Sequence, residues 1–377
     1  MKDTSLGLYL HIPFCLQKCN YCDFCSFPAQ GEETKHAYVQ ALCRELEESA
    51  IKAADYTVDT VFFGGGTPTC LSTADLVALC DHIRRHYRLA CDVEWTSEAN
   101  PATVDEGKLR AMREAGINRI SLGMQSANEN ELALLGRVHR PPDVYASVEA
   151  LHKVGFQNWS LDLMFGIPAQ TAESFAHSLD EAIALAPTHI SAYSLQIEEG
   201  TPFYRERDAL PLPDEDTEAA MAALLYQKMA KAGYHRYEIS NFARPGFESR
   251  HNLRYWRMRD YLGFGITAHS CFAHERFYNR EGLADYIRDP LGAREREETL
   301  TPATREYETV MLGLRLSAGI DDDTFATTFG YGFFEKYGAR LAPFLAAGLA
   351  RREGKKTCLT ADGMALSNAI LAEILED

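Results

Sequence analysis

Along its first two-thirds the chain alternates short apolar runs with longer stretches whose apolar residues recur every three or four positions. The short runs predict strands at 8–12, 60–63, 92–97, 119–123, 158–165 and 189–196. The longer stretches predict helices at about 35–54, 73–88, 104–115, 141–155, 172–186 and 215–232. A helix after every strand implies a parallel sheet with right-handed crossovers. Six such units are too few to close an eight-stranded barrel, so the expected α/β fold is a partial (β/α)6 TIM-like barrel. In that arrangement the loops after the strands gather on one rim.

After about residue 200 the alternation fades. Pro202, Pro211, Pro213 and the acidic run 214–216 lead into the helix at 215–232. The pattern divides the chain into a barrel over 1–235, an irregular connection over 236–300 rich in aromatics and Arg, and a smaller, mainly helical domain over 301–377. The last part shows helical periodicity at 304–316 and 333–349. A basic turn at 351–356, a short apolar run at 357–359 and a helix near 362–375 follow. This resembles a winged-helix-like module, read here as a lid or packing domain.

Composition narrows the partners. With 54 acidic and 38 basic side chains the formal charge is −16, which argues against a nucleic-acid surface. No run of 18 apolar residues predicts a membrane-spanning helix, and peripheral association stays open. His11 and Pro13 precede any long apolar run, so no secretory signal is expected. Cys43, Cys70, Cys80, Cys91, Cys271 and Cys358 lack ligand spacing and read as reduced thiols of a cytoplasmic protein.

Three other cysteines are different. Cys15, Cys19 and Cys22 form C-x3-C-x2-C in the run Tyr-Leu-His-Ile-Pro-Phe-Cys-Leu-Gln-Lys-Cys-Asn-Tyr-Cys. Three thiolates hold three irons of a [4Fe–4S] cubane and leave the fourth open to a small molecule, whereas electron carriers are usually held by four. Cys25 follows by another C-x2-C, so a four-Cys electron-transfer protein competes with the open-iron reading; otherwise Cys25 is a semi-buried free thiol. A glycine-rich turn at 64–68 suits an amine, a carboxylate or a phosphate, and lacks the spacing of a dinucleotide fold or the Lys of a P-loop. The cysteine loop, this turn, 98–101, Gln125 and 166–168 all fall just after predicted strands. They therefore share one rim.

The cysteine motif together with Gly-Gly-Gly-Thr-Pro resembles the radical S-adenosylmethionine superfamily. In that superfamily the open iron chelates the amino and carboxylate groups of S-adenosylmethionine, and one electron splits it to methionine and a 5′-deoxyadenosyl radical. Further motifs are similar to the oxygen-independent coproporphyrinogen III oxidase family: Glu-Ala-Asn-Pro, Arg-Ile-Ser-Leu-Gly-Met-Gln-Ser, Leu-Gly-Arg-Val-His and Leu-Asp-Leu-Met-Phe-Gly-Ile-Pro. The resemblance implies that Tyr9 lies beside the methionyl group and that Gly65, Gly66 and Thr67 take the amino group. It implies that Glu98, Gln125, Arg137 and Asp162 surround the carboxylate and ribose.

That family has two branches. The oxidase, which converts coproporphyrinogen III to protoporphyrinogen IX in haem biosynthesis, is longer at its start and carries a Cys-x-Cys after the third ligand. Here the chain begins a few residues before the motif, and the corresponding position is Phe24. The other, haem-chaperone branch resembles this chain in its start and in His251-Asn-Leu-Arg-Tyr-Trp. It implies binding of haem and delivery to apo-haemoproteins. His251 is the expected axial haem ligand, Tyr255 and Trp256 are candidates to stack on a porphyrin, and His269 is a weaker ligand candidate.

Overall fold

The computed structural model describes residues 4–376. Six strands form the centre of its main sheet in chain order: β1 (Ser5–Ile12), β2 (Thr57–Gly65), β3 (Leu89–Ala99), β4 (Arg119–Gln125), β5 (Asn158–Phe165) and β6 (His189–Ser194). Each pairs in parallel with the next. All seven residues of β4 are buried, as a parallel strand covered on both faces requires.

The covering helices are α1 (Glu32–Lys52), α2 (Thr73–His86), α3 (Glu106–Glu114), α4 (Pro141–Val154), α5 (Ala172–Ala184) and α6 (Glu215–Lys231). In α2 the buried Leu76, Leu79, Cys80 and Ile83 recur at helical spacing, and Ser72 caps the start by accepting from the Asp75 N–H. Thr171 and Asp214 cap α5 and α6 in the same way. The crossovers place the C-terminal ends of β1–β6 on one rim, as the alternation predicts.

The sheet does not stop at six strands. Tyr261–Phe264 pairs in parallel with β1, and His269–Phe272, Glu275–Asn279 and Arg294–Thr299 continue it antiparallel. At the other edge Asn241–Ala243 and His235–Arg236 extend it beyond β6. Residues 236–300, expected to be irregular, therefore carry strands that widen the sheet on both sides. Their strands are short, and Arg-Glu-Arg-Glu-Glu-Thr at Arg294–Thr299 has no apolar face to betray it.

A buried carboxylate locks this extension to the barrel. Glu45 of α1 accepts from the Gly265 N–H at 2.9 Å, Asn279 Nδ2 at 2.8 Å and the Tyr286 hydroxyl at 2.6 Å, and pairs with Arg294 at 3.1 Å. The remaining chain forms a separate core of Val310, Leu314, Phe325, Phe333 and Leu341. It combines helices such as Pro302–Gly313 and Phe333–Ala346 with a small antiparallel sheet of Ile320–Asp321, Lys356–Leu359 and Ala350–Glu353.

Candidate cofactor site

A cavity of about 560 Å³ opens at the rim, and Cys15, Cys19 and Cys22 line it. The cysteine loop leaves β1 through Phe14–Cys15, which pairs with Phe27–Pro28. Its middle docks on the turn before Arg137: Asn20 donates its backbone N–H to Leu135 O at 3.0 Å and Nδ2 to Leu134 O at 2.8 Å. Gln17 Nε2 adds a bond to Gly136 O at 3.1 Å. This docking brings Arg137 Nη1 to 3.6 Å from Cys19 Sγ, while Thr67 Oγ1 lies 3.7 Å from Cys15 Sγ. Withdrawal from water, reinforced by Cys19 and Cys15, pushes the Cys22 thiol up to about 11. A cationic cluster would reverse that balance by taking the proton's place.

Cys25 is not among the residues lining this cavity. Its thiol donates to Glu281 Oε1 at 3.7 Å, and its backbone carbonyl accepts from His11 Nε2 at 2.9 Å. Nδ1 of His11 in turn accepts from the Tyr9 hydroxyl at 3.2 Å. His11, which the motif reading passed over, thus holds the far end of the cysteine loop to β1. Tyr9 stacks on Phe62 and is not among the residues lining the cavity.

The glycine turn is built for close approach. A side chain on Gly66 would meet the Phe14 and Ile12 carbonyl oxygens at 2.8 and 2.9 Å, and Gly65 has φ +106°. Its N–H groups are spent within the fold: Gly65 on Glu98 Oε2 at 3.2 Å, Gly66 on Ile12 O at 2.9 Å and Thr67 on Phe14 O at 2.8 Å. The turn therefore has no N–H at these positions left for an anion. Of the three ligand types open at the level of sequence, the geometry favours the amine.

Two carboxylates face the same space. Removal from water, with Asp162 nearby, raises Glu98 to about 8. Burial also raises Asp162, partly offset by hydrogen bonds from Ser191 and from Ser121, whose hydroxyl lies 3.1 Å from both carboxylate oxygens. A cationic amine would return both groups to the charged form. Arg137 gives Nη2 to Gly123 O at 2.9 Å, and its buried Nε has no hydrogen-bond partner among the described residues. Such an orphaned donor fits a ligand carboxylate. Gln125 reaches the cavity from a register shift in β4 and holds φ +64°.

The residues present thus fit a three-thiolate cluster and a zwitterionic amino-acid ligand. The structure brings together Cys15, Cys19, Cys22, Gly65, Gly66, Thr67, Glu98, Gln125, Arg137 and Asp162. It adds Tyr21, Ser121, Met164 and Tyr193 to the same walls. Tyr193 lies at the C-terminal end of β6, a position that topology could have flagged but no motif did.

His251 is placed elsewhere. It is 1 % exposed, with Nδ1 2.9 Å from Thr60 Oγ1 and Nε2 2.8 Å from the Tyr255 hydroxyl. Burial, with Arg254 and Arg119 close by, pushes its imidazole down to about 3, so it is neutral. A neutral ring suits iron, but both nitrogens are already engaged and the residue lines neither this cavity nor its neighbour. The helix Arg250–Trp256 turns His251 and Arg254 into the core. His269 is exposed, stacks on Tyr278 and pairs with Glu297 at 3.7 Å.

Tyr255 and Trp256 do reach a cavity. A second space of about 600 Å³ is walled by Tyr193, Tyr255, Trp256 and Tyr261 with Arg259 and Arg276, and is closed by Leu312 and Arg315 of the C-terminal unit. Tyr193 lines both cavities.

Residues 9–182 match the model of the Radical SAM superfamily, and residues 300–366 match the HemN C-terminal domain. The chain is 38 % identical over 374 residues to a Bacillus subtilis (strain 168) protein named Heme chaperone HemW, covering 97 % of this chain and 98 % of that one. An Escherichia coli (strain K12) protein of the same name is 42 % identical over 269 residues, 71 % of each chain. The fold superposes on coproporphyrinogen III oxidase (HemN) from Escherichia coli, described as a radical SAM enzyme, with a TM-score of 0.87 and 26 % identity. That match covers 99 % of this chain and 90 % of the other.

Proposed function

Because the chain belongs to the HemW family within the radical SAM superfamily, we propose that it is a cytoplasmic haem chaperone that binds haem and hands it to apo-haemoproteins. The single observation that carries the reading is the aromatic cavity sharing Tyr193 with the cysteine cavity. A flat, apolar ligand with acidic substituents fits aromatic walls rimmed by guanidinium groups. Among the described residues no helix is long and apolar enough to cross a membrane.

Cys15, Cys19 and Cys22 would hold the [4Fe–4S] cluster. When bound, the cluster with S-adenosylmethionine supplies one-electron cleavage chemistry. This chain's own residues bind and orient: the Gly65–Thr67 turn, Glu98 and Asp162 favour the amino group and hydroxyls, and Arg137 the carboxylate. Tyr9, hydrogen-bonded to His11, would steady the cysteine loop through the His11 bond to Cys25. His251 acts on the second cavity through the hydroxyl of Tyr255.

The superposition on HemN favours a second reading, oxidative decarboxylation of coproporphyrinogen III. Exposed Phe24, on the rim of the cysteine cavity, stands where that branch places a cysteine. One anaerobically reconstituted sample separates the two. Haem should titrate to a defined stoichiometry, and Trp256→Ala should weaken it, while coproporphyrinogen III with reductant and S-adenosylmethionine should yield no protoporphyrinogen at repeated turnover. Sustained protoporphyrinogen formation would replace the chaperone by the oxidase. His251→Ala should weaken haem binding without moving the absorption bands; a band shift would mark direct ligation.

A further inference from the structure

Far from both cavities, the C-terminal halves of α1 and α2 bring together Glu47, His82 and His86. One ligand atom from each lies within 4.8 Å of the others. The two histidines stand at i and i+4 on one face of α2, with ring centroids 4.2 Å apart, and Glu47 reaches across from the neighbouring helix. Both helices start near the cysteine rim and run away from it, so this cluster sits at the opposite end of the barrel.

Two details give it the character of a ligand set. His86 Nδ1 donates to the His82 carbonyl at 2.9 Å, which fixes the tautomer and leaves the Nε2 lone pair aimed toward Glu47 Oε1, 3.9 Å away. The Nε2 of His82 is buried with no hydrogen-bond partner of normal geometry among the described residues, the Cys43 backbone being the ring's one backbone contact. An unsatisfied imidazole nitrogen at such a spot is a cost that a bound cation would remove. We infer that Glu47, His82 and His86 form a site for a divalent transition-metal ion of the zinc type, stapling the C-terminal halves of α1 and α2. Two imidazoles and one carboxylate suit zinc, nickel or copper and not magnesium or calcium, which prefer all-oxygen sets. Zinc bonds of about 2.0–2.1 Å place tetrahedral ligands roughly 3.4 Å apart. The Glu47 side chain is mostly exposed and free to close that gap, and water would complete the shell.

The test uses the full chain with its cysteine cluster reconstituted, so that thiolates at the rim do not compete. Calorimetric titration with zinc chloride should show one site, and zinc should raise the melting temperature. His82→Ala and His86→Ala should each weaken binding by about tenfold or more and abolish the thermal shift. Glu47→Gln, at an exposed position, should also weaken binding while leaving the metal-free melting temperature unchanged. No zinc binding by the parent chain, or the same affinity in the Glu47→Gln and His86→Ala variants, would overturn the assignment.

Discussion

Glu98 carries the clearest pH signature of the site. Its carboxyl titrates near 8 in the native cavity against about 4.5 in the unfolded chain. Between those values the native state keeps a proton that the unfolded state has lost, so the ligand-free protein loses stability as pH rises through that window. Glu98→Gln should flatten part of this slope, with Asp162, also raised, keeping the rest. Denaturation midpoints across pH 4.5 to 8 check it, and an unchanged slope in the variant would contradict it. A cationic amine favours the carboxylates, so S-adenosylmethionine affinity should climb over the same window. Cysteine identity is equally testable. Cys25→Ala should keep full iron content and cluster absorption after reconstitution, because its thiol points to Glu281, whereas Cys19→Ala should lose the cluster.

Helix α1 does more than cover the barrel, since Glu45 ties it to the added strands through four partners. Glu45→Ala would leave Arg294 and three buried donors without their acceptor, so a loss of roughly 3–5 kcal/mol is expected in equilibrium unfolding. A change below about 1 kcal/mol would show the node to be dispensable. The periodicity of 8–232 made β1–β6 and their helices legible, because buried parallel strands and amphipathic helices have different apolar periods. The strand at Tyr261–Phe264 escaped it: only four residues long, it is set by pairing with β1 from 250 residues away, which no local pattern records. The fates of His251 and Tyr255 differ for a similar reason. Both belong to one motif, yet the helix turns one inward to Thr60 and the other toward the second cavity.

Across the chain, the cofactor rim was legible because its residues follow strands and carry spaced thiols, glycines and carboxylates. The aromatic cavity was not, since it forms only when β6, the helix Arg250–Trp256, the added strands and the C-terminal unit meet. Arg276 bridges that meeting by pairing with Glu298 of its own sheet and Glu308 of the C-terminal helix. The C-terminal unit is therefore a wall of the second cavity and not a remote appendage. A haem chaperone must release intact haem from that cavity to an acceptor. The most direct measurement mixes the anaerobically reconstituted, haem-loaded protein with an excess of an apo-haemoprotein and follows the acceptor's absorption spectrum after separating the two. The acceptor should gain its native haem spectrum in proportion to haem lost by the donor, with no change in the porphyrin. Haem retained by the donor under these conditions, or porphyrin chemically altered in the process, would contradict it.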